Sequence, residues 1–243
     1  SLFGKSGNLY YIAAIPFAFI VTFLLGCIME KVLITRLYGR KMDSLLATWG
    51  ISLILQQAAR SIFGSQGVNV NAPDFLKSGL KVGGCTFSYN RIFIICMVTA
   101  CLALVWLLMN KSSFGAQMRA TMQNRSMAQC MGINSRRVDC LTFALGSGLA
   151  GVAGCSIALL GSVDSTVGQS YIVYSFMTVV LGGVGNLLGT VIGAMIIGFS
   201  SIIVEAYQSA SVARAIVLLI IIVFLQFRPK GLFTIRSRSL DEG

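Results

Sequence analysis

The chain has 243 residues, of which 56% are hydrophobic and only 11% are charged, and its mean hydropathy is +0.81. Because roughly a quarter of the residues of a soluble domain are charged, this composition predicts an integral membrane protein. Its net charge of +11 would suit nucleic acid, but the basic residues lie in short loops between apolar runs, so no nucleic-acid binding is expected. The sequence contains no histidine, which excludes Ser-His and Cys-His catalysis and the usual zinc sites.

Apolar runs of about 20 residues can cross the hydrocarbon core of a membrane as helices. They predict an all-α, polytopic helix bundle of about six to seven membrane segments in one transmembrane domain, 1–243. The segments are expected at 9–29, 43–63, 91–109, 138–163, 168–184, 187–206 and 211–227. Residues 165–204 carry no charge, and LGGVGN at 181–186 interrupts them. Two antiparallel segments joined by a glycine-rich turn are the simplest interpretation, and 168–184 either crosses fully or re-enters.

The distribution of basic residues predicts the orientation of the chain. Of the 19 Lys and Arg residues, 4, 5 and 4 lie in the segments 30–42, 110–138 and 228–243. The positive-inside bias places these segments in the cytoplasm, together with the C-terminus, and Ser1 outside. The natural outer loop is then 64–90, with NAPDF and the pair Gly83 and Gly84. The protein is expected to be a multi-pass protein of the plasma (inner) membrane, surrounded by lipid.

One long polar segment, 110–137, interrupts the apolar runs, and we call it the coupling segment. It carries five basic residues and no acidic one: Lys111, Arg119, Arg125, Arg136 and Arg137. Residues 114–131 can form a helix with an apolar and a basic side, and Gly132 is well placed as its C-cap. It is either a linker that lies on the membrane surface or a docking helix that receives motion from a soluble partner.

Polar residues within apolar segments are the candidates for a transport pathway, because they are costly in lipid. Thr48, Ser52 and Gln56 follow one another at intervals of four, so they share a helix face. Hydrogen bonding between helices is the alternative role for this face. Asn186 belongs to the same polar set. The charged residues Glu205, Arg60 and Arg214 lie near outer helix ends, where snorkelling to the interface is the expected behaviour.

Glycines form two further patterns. Gly185, Gly189 and Gly193 recur every four residues and predict a smooth helical stripe, which serves either helix packing or a groove along the pathway or a second permease subunit. Gly146, Gly148 and Gly151 spell the dinucleotide pattern GxGxxG, but they lie in an apolar helical run without the strand that this pattern requires. They are interpreted as packing glycines, and the chain shows no ATP-binding motif of its own.

Three stretches together resemble the ABC-transporter permeases of the branched-chain amino acid and urea uptake family. They are FGAQMRATMQNRSMAQCMGIN at 114–134, MTVVLGGVGNLLGTVIGA at 177–194 and the later RPKGLF. The resemblance covers nearly all of the chain from Leu9 onward, and 45–64 and 69–76 are more similar to the urea-type subunit. Family members carry further N-terminal spans, so we expect this chain to be part of a longer protein.

The resemblance implies a permease subunit that is not itself an enzyme and binds no cofactor, with ATP and magnesium on partner ATPases. It also implies three kinds of partner: a second permease subunit, two cytoplasmic ATPases and an extracytoplasmic substrate-binding protein. The family's coupling helix matches residues 119–132. Candidate coupling residues are Phe114, Gly115, Met118, Arg119, Asn124, Arg125 and Gly132. Candidate pathway or packing residues are Thr48, Ser52, Gln56, Gly182, Gly183, Gly185, Asn186, Gly189 and Gly193.

The expected function is ATP-driven import of urea or a related short-chain amide. Import of branched-chain amino acids by the same machinery is the first alternative. A stand-alone channel or a secondary transporter is the alternative from a different class. A secondary transporter usually carries ionisable residues deep in its spans, and the uncharged stretch 165–204 argues against that.

Overall fold

A computed structural model describes residues 7–36, 41–64, 67, 79–82, 85–183, 185–207, 209–227 and 231–232. Helices dominate these residues, which confirms the prediction of an all-α membrane helix bundle. The motif NAPDF, the Gly83 and Gly84 pair and the C-terminal basic residues lie outside the described residues. The chain divides into two compact units, 1–165 and 166–243, and each is described by itself. The single transmembrane domain stays a prediction.

The first unit contains six α-helices in its described part. They are α1 (Gly7–Val32), α2 (Lys41–Phe63), α3 (Tyr89–Lys111), α4 (Ser113–Gln123), α5 (Arg125–Cys130) and α6 (Ser135–Ala158). A 3-10 turn, Ile34–Arg36, follows α1. A short antiparallel hairpin, β1 (Gly79–Val82) and β2 (Cys85–Ser88), precedes α3 and pairs Gly79 with Ser88. This hairpin lies within the expected outer loop, and no sequence pattern predicts it there.

The second unit contains α7 (Val167–Gly182), α8 (Leu187–Glu205) and α9 (Ala210–Phe227). Of the described helices, four are long and apolar enough to cross a membrane: α1 from Ala13, α3, α6 and α8. Helices α7 and α9 are apolar but shorter. With 16 residues, α7 is roughly 24 Å long at 1.5 Å per residue. This length is less than the thickness of the hydrocarbon core, which is roughly 30 Å.

Helices α1 and α6 form the main contact of the first unit, and glycines on both helices permit it. A Cβ atom added at Gly148 would lie 2.6 Å from Cε2 of Phe19, and one at Gly26 would lie 2.6 Å from Cβ of Ser147. Gly151 approaches Thr22 in the same way. Membrane helices approach closely where small residues leave room, so these glycines explain why the two helices pack together.

Helices α2 and α3 pack less extensively against the rest of the first unit. All residues of α3 are described and none is buried, although Asn90 at its start donates a hydrogen bond to the carbonyl oxygen of Leu159 at 2.6 Å. Near the end of α2, Nε of Arg60 donates to Oγ of Ser165 at 2.8 Å. Snorkelling is the predicted role of Arg60, and this hydrogen bond gives it a structural role within the unit.

In the second unit, α7, α8 and α9 share an apolar core. Its buried residues are Met177, Leu181, Ile197, Val217 and Ile221. Residues that follow α9 return to the end of α7, because the backbone N–H of Leu232 donates to the carbonyl oxygen of Leu181 at 2.9 Å. The end of α9 and the turn between α7 and α8 therefore lie at the same end of the unit.

The observed end of α6 differs from the predicted segment 138–163. The helix stops at Ala158, and Leu159 is its C-cap residue. From there the backbone N–H groups bond to carbonyl oxygens three residues back instead of four: Leu159 donates to Ser156, and Leu160 donates to Ile157. The apolar run continues past the helix end, and hydropathy alone therefore overestimates the helix length.

Candidate functional site

The coupling segment begins with a sharp bend at Ser112, between the end of α3 and the start of α4. The backbone N–H of Phe114 donates to the Ser112 hydroxyl at 3.2 Å, so Ser112 caps the start of α4. Gly115 is buried, and a Cβ atom there would lie 2.6 Å from the carbonyl carbon of Met109. Only glycine allows this approach. The candidate residues Phe114 and Gly115 therefore hold α4 against the end of α3.

Arg119 also stabilises this bend between α3 and α4. Its guanidinium donates a hydrogen bond to the carbonyl oxygen of Met109, one of the carbonyls in the last turn of α3. A cation at a helix C-terminus interacts favourably with the helix dipole and with the unsatisfied carbonyls. The structure thus gives Arg119 a structural partner within the chain.

The prediction of one continuous helix over 114–131 is wrong, because the segment is broken at Asn124. This residue has an extended backbone, ends α4 and begins α5. Its side-chain oxygen accepts a hydrogen bond from the N–H of Met127 at 3.0 Å. A short polar side chain that bonds to nearby backbone competes with helix continuation, which explains the break. The candidate residue Asn124 is therefore the corner of the segment.

Arg125 ties α5 to α6. Its Nη2 atom lies 2.7 Å from Oδ2 of Asp139, so the two side chains form a hydrogen-bonded ion pair. Both side chains are partly shielded, with 37% and 23% of their surfaces exposed. The ion pair positions α5 on the first turns of α6, a role for Arg125 that the sequence pattern does not indicate.

Gly132 closes α5, as the sequence predicts. Its φ of 81° lies in the left-handed region, its N–H donates to Gln129, and the N–H of Ile133 donates to Ala128. These two bonds form the pattern of a Schellman motif. Asn134 then caps α6 by accepting from the N–H of Arg137 at 3.3 Å. The coupling segment is thus capped at each of its corners.

Replacing Gly132 with alanine is expected to loosen this end of α5. A left-handed conformation costs an ordinary L-residue about 1–2 kcal/mol, so amide exchange across 126–133 should accelerate about tenfold. Hydrogen–deuterium exchange measured by mass spectrometry checks the rate. Gly146→Ala is the matched control, since no described atom lies within 4 Å of an added Cβ there. Equal exchange rates in the two variants would contradict the cap.

The free surface of the coupling segment is rich in methionine. Met122, Met127 and Met131 are 65%, 64% and 79% exposed, whereas Phe114 and Met118 are half-buried. Methionine side chains adapt to irregular apolar surfaces. The apolar side expected for a helix over 114–131 consists of Phe114, Met118, Met122 and Ala128. Of these four, Ala128 is buried within the chain and only Met122 is largely exposed. Met127 and Met131 were not among the candidates, since the corner at Asn124 is not visible in the helical periodicity.

The candidate pathway residues on α2 do share one face. The Thr48 hydroxyl donates to the carbonyl oxygen of Ser44 at 3.0 Å, and Nε2 of Gln56 donates to the Ser52 hydroxyl at 3.2 Å. All three candidate side chains are half-buried. They form a polar strip on a helix whose neighbouring faces carry exposed apolar residues such as Trp49 and Ile54.

The glycine-rich turn after α7 positions α8. Gly183 and Gly185 have φ values of 97° and 92°, and α8 begins only at Leu187. The predicted stripe is therefore wrong for Gly185, which lies in the turn. Gly189 and Gly193 are both buried on α8. A Cβ atom at Gly193 would lie 3.1 Å from the backbone nitrogen of Gly182, so this surface is occupied by helix packing within the unit.

Asn186 has a local structural role. Its side-chain oxygen accepts from the N–H groups of Leu188 and Gly189, at 3.1 and 3.3 Å, and so caps α8. The pattern GxGxxG is likewise structural, since Gly148 and Gly151 face α1. Among the described residues, no group of three or more Cys, Asp and Glu is placed to hold a metal ion.

Four helices long and apolar enough to cross a membrane, together with the short capped helices of the coupling segment, define a multi-pass membrane protein. Residues 2–225 match the family described as "Branched-chain amino acid transport system / permease component". The chain belongs to this family of transport permeases.

Named relatives support the assignment. The chain is 29% identical to the probable branched-chain amino acid transport permease protein LivH of Methanocaldococcus jannaschii over 81% of its length. It is 27% identical over 92% of its length to the high-affinity permease BraD of Pseudomonas aeruginosa, whose name gives the same substrate class. The fructose import permease FrcC of Rhizobium meliloti is 26% identical over 65% of the chain.

These alignments cover 65%, 75% and 46% of the respective relatives. The chain therefore spans slightly less than two thirds of the archaeal relative. No solved structure matches the chain.

Proposed function

We propose that the chain is the permease subunit of an ATP-driven ABC importer for branched-chain amino acids. The observation that carries the proposal is the family match across residues 2–225. The first relatives are named for branched-chain amino acids, and this favours that class over urea, the substrate expected from the sequence. Urea import rests only on the sequence similarity of residues 45–64 and 69–76 to the urea-type subunit, and all of the latter stretch lies outside the described residues.

The importer would assemble from this chain, a second permease subunit, two cytoplasmic ATPases and an extracytoplasmic substrate-binding protein. ATP and magnesium would bind to the ATPases, and their closure would supply the motion. In this arrangement the coupling segment and the C-terminus lie on the cytoplasmic side. The methionine-rich surface of α4 and α5 is the proposed contact for an ATPase, because its side chains are exposed and adaptable.

The contacts of the coupling segment favour its use as a lever. Arg119 joins α4 to the end of α3, and Arg125 joins α5 to Asp139 on α6. A displacement of α4 and α5 would therefore be passed to two membrane helices, and from α6 to α1 through their glycine contacts. In this mechanism Arg119 and Arg125 transmit motion through contacts inside the chain.

The pathway is proposed to run along the polar strip of α2. Thr48, Ser52 and Gln56 offer hydroxyl and amide groups without a charge. Such groups can bond to the polar part of an amino acid as it passes without holding it as tightly as an ion pair. Gly189 and Gly193 are assigned to helix packing, since their surface is already covered.

Uptake by the assembled complex in proteoliposomes tests the function. We expect labelled leucine to accumulate only with ATP, active ATPases and the substrate-binding protein, while labelled urea does not accumulate. A matched preparation with inactivated ATPases provides the control. Leucine flux that persists in this control would instead indicate a channel or a secondary transporter. Uptake of urea in place of leucine would overturn the substrate class while leaving the importer intact.

A further inference from the structure

A cavity of about 460 Å³ opens between the end of α1 and the start of α6. Ligand sites typically enclose roughly 300–1,000 Å³, so its volume suits a small polar group. Polar and charged side chains from both elements line it: Glu30, Lys31, Thr35, Asn134, Arg136 and Arg137. The mechanism proposed above uses none of these six side chains. The cavity is therefore a candidate for a separate binding site.

The rim of this cavity is cationic. Lys31, Arg136 and Arg137 are all exposed, and they converge from two different helices. The rim also includes the first turn of α6, where backbone N–H groups carry a partial positive charge. Arginine and lysine side chains at the end of membrane helices are the usual ligands for the phosphate of a lipid headgroup. The rim is thus suited to a phosphate.

The interior of the cavity carries the opposite charge. Glu30 is only 3% exposed, and Oγ1 of Thr35 lies 3.2 Å from one of its carboxylate oxygens, to which it can donate. Among the side chains that the structure describes, none forms an ion pair with Glu30. A buried carboxylate is costly unless a cation and hydrogen-bond donors compensate its charge. The cavity therefore presents a counter-charge position for a small cationic donor.

Among membrane lipids, the aminophospholipids carry both a phosphate and a primary ammonium in the headgroup. We propose that the cavity binds the headgroup of an aminophospholipid, with its phosphate between Lys31, Arg136 and Arg137 and its ammonium at Glu30. Lipid is the favoured source because α1 and α6 are both long and apolar enough to span a membrane. Leu141, which lines the cavity and is 42% exposed, offers an apolar surface to an acyl chain.

Native mass spectrometry of the whole chain in a mild detergent tests the site. The protein is incubated with phosphatidylethanolamine, phosphatidylcholine and phosphatidylglycerol that carry identical acyl chains. Phosphatidylethanolamine should be retained about tenfold over phosphatidylcholine, a preference equivalent to roughly 1.4 kcal/mol. The choline nitrogen has no N–H group to donate to Glu30. Equal retention of these two lipids, or selective retention of phosphatidylglycerol alone, would overturn the proposal.

Substitutions separate the two charges of the site. Glu30→Gln should abolish the preference for ethanolamine over choline, and joint replacement of Arg136 and Arg137 by Gln should lower retention of both lipids about tenfold. Lys31→Gln affects an exposed side chain and provides a rim variant if Glu30→Gln does not fold. Retention unchanged in the rim variants, or an ethanolamine preference that survives Glu30→Gln, would refute the assignment.

Two controls complete the experiment: one tests whether charges outside the cavity affect lipid retention, and the other tests whether a soluble phosphate ester occupies the site. Arg91→Gln and Glu205→Gln remove exposed charges outside the cavity and should leave lipid retention unchanged. Free phosphoethanolamine at millimolar concentration should not displace the bound lipid, since it lacks the acyl chains. Displacement by this soluble compound would assign the cavity to a soluble phosphate ester and overturn the lipid as its source.

Discussion

Replacing Gly182 with alanine is expected to destabilise the unit 166–243 by about 2–3 kcal/mol, at the upper end of the cost of overpacking. A Cβ atom at this position would lie 2.5 Å from the carbonyl carbon of Gly189 and 2.6 Å from Cα of Thr190. Both neighbours are backbone atoms, which cannot rotate away as a flexible side chain can. Helices α7 and α8 would therefore have to separate, and their shared core would open.

This loss is measured by unfolding the purified protein in mixed micelles with an increasing fraction of a denaturing detergent. The rate of tryptic cleavage after Arg214 reports on opening of the unit 166–243. Gly198→Ala is the matched control on α8, because no described atom lies within 4 Å of an added Cβ there. We expect the control to be neutral, since alanine is the better helix former. Gly182→Ala behaving like Gly198→Ala would show that α7 and α8 do not pack through this contact.

Reversing the charge of Arg125 is expected to reduce ATP-dependent uptake about tenfold. The partly exposed ion pair with Asp139 contributes up to about 1 kcal/mol, and two carboxylates at this distance would add repulsion. A combined effect of roughly 1.4 kcal/mol lowers the ratio of correctly placed to displaced α5 by a factor of ten, and uptake falls in proportion where the two placements are close in free energy. Uptake in proteoliposomes and co-purification of the ATPases are the two measurements.

The exchanged pair Arg125→Asp with Asp139→Arg provides the control. If Arg125 acts by positioning α5, the exchanged pair restores the ion pair and recovers most of the uptake. If Arg125 instead contacts an ATPase directly, the single reversal and the exchanged pair should be equally inactive. Full uptake by the single Arg125→Glu variant would contradict both roles, and with them the lever.

Hydropathy predicted the helices of the second unit closely. The uncharged run 165–204 is too long for one span, and its Gly and Asn residues disfavour a helix at 183–186, so two helices were expected there. The structure has α7 and α8 at these places. The C-cap at Gly132 was likewise predictable, because a glycine follows a helical pattern and the requirement for a positive φ is local.

The contacts of the coupling segment were not predictable from the sequence alone. Asn124 can stand within a helix or end one, and its capping bond to Met127 decides between these states. Arg119 and Arg125 were expected to face a partner, since a basic residue between spans has no visible partner in the sequence. Their partners, Met109 and Asp139, are 10 and 14 residues away and are brought close only by the corners of the chain.

The predicted stripe of Gly185, Gly189 and Gly193 shows that periodicity alone does not reveal where a helix begins. A spacing of four residues places Gly185 with Gly189 only if all of them belong to one helix. The helix starts later, because Asn186 caps it at Leu188 and Gly189. In α1 and α6 the sequence identified Gly148 and Gly151 as packing residues, but their partners Phe19 and Thr22 depend on tertiary structure.

The return of residues 231–232 to α7 bears on the order in which the protein is built. Gly231 lies against Gly183, where an added Cβ would be 2.9 Å from Cα, and Leu232 satisfies the carbonyl oxygen of Leu181. The ribosome delivers these residues only after α7, α8 and α9 have been synthesised. Helices α7 and α8 are therefore synthesised before the residues that cover this end of α7, and the unit completes its packing only once the chain beyond α9 is available.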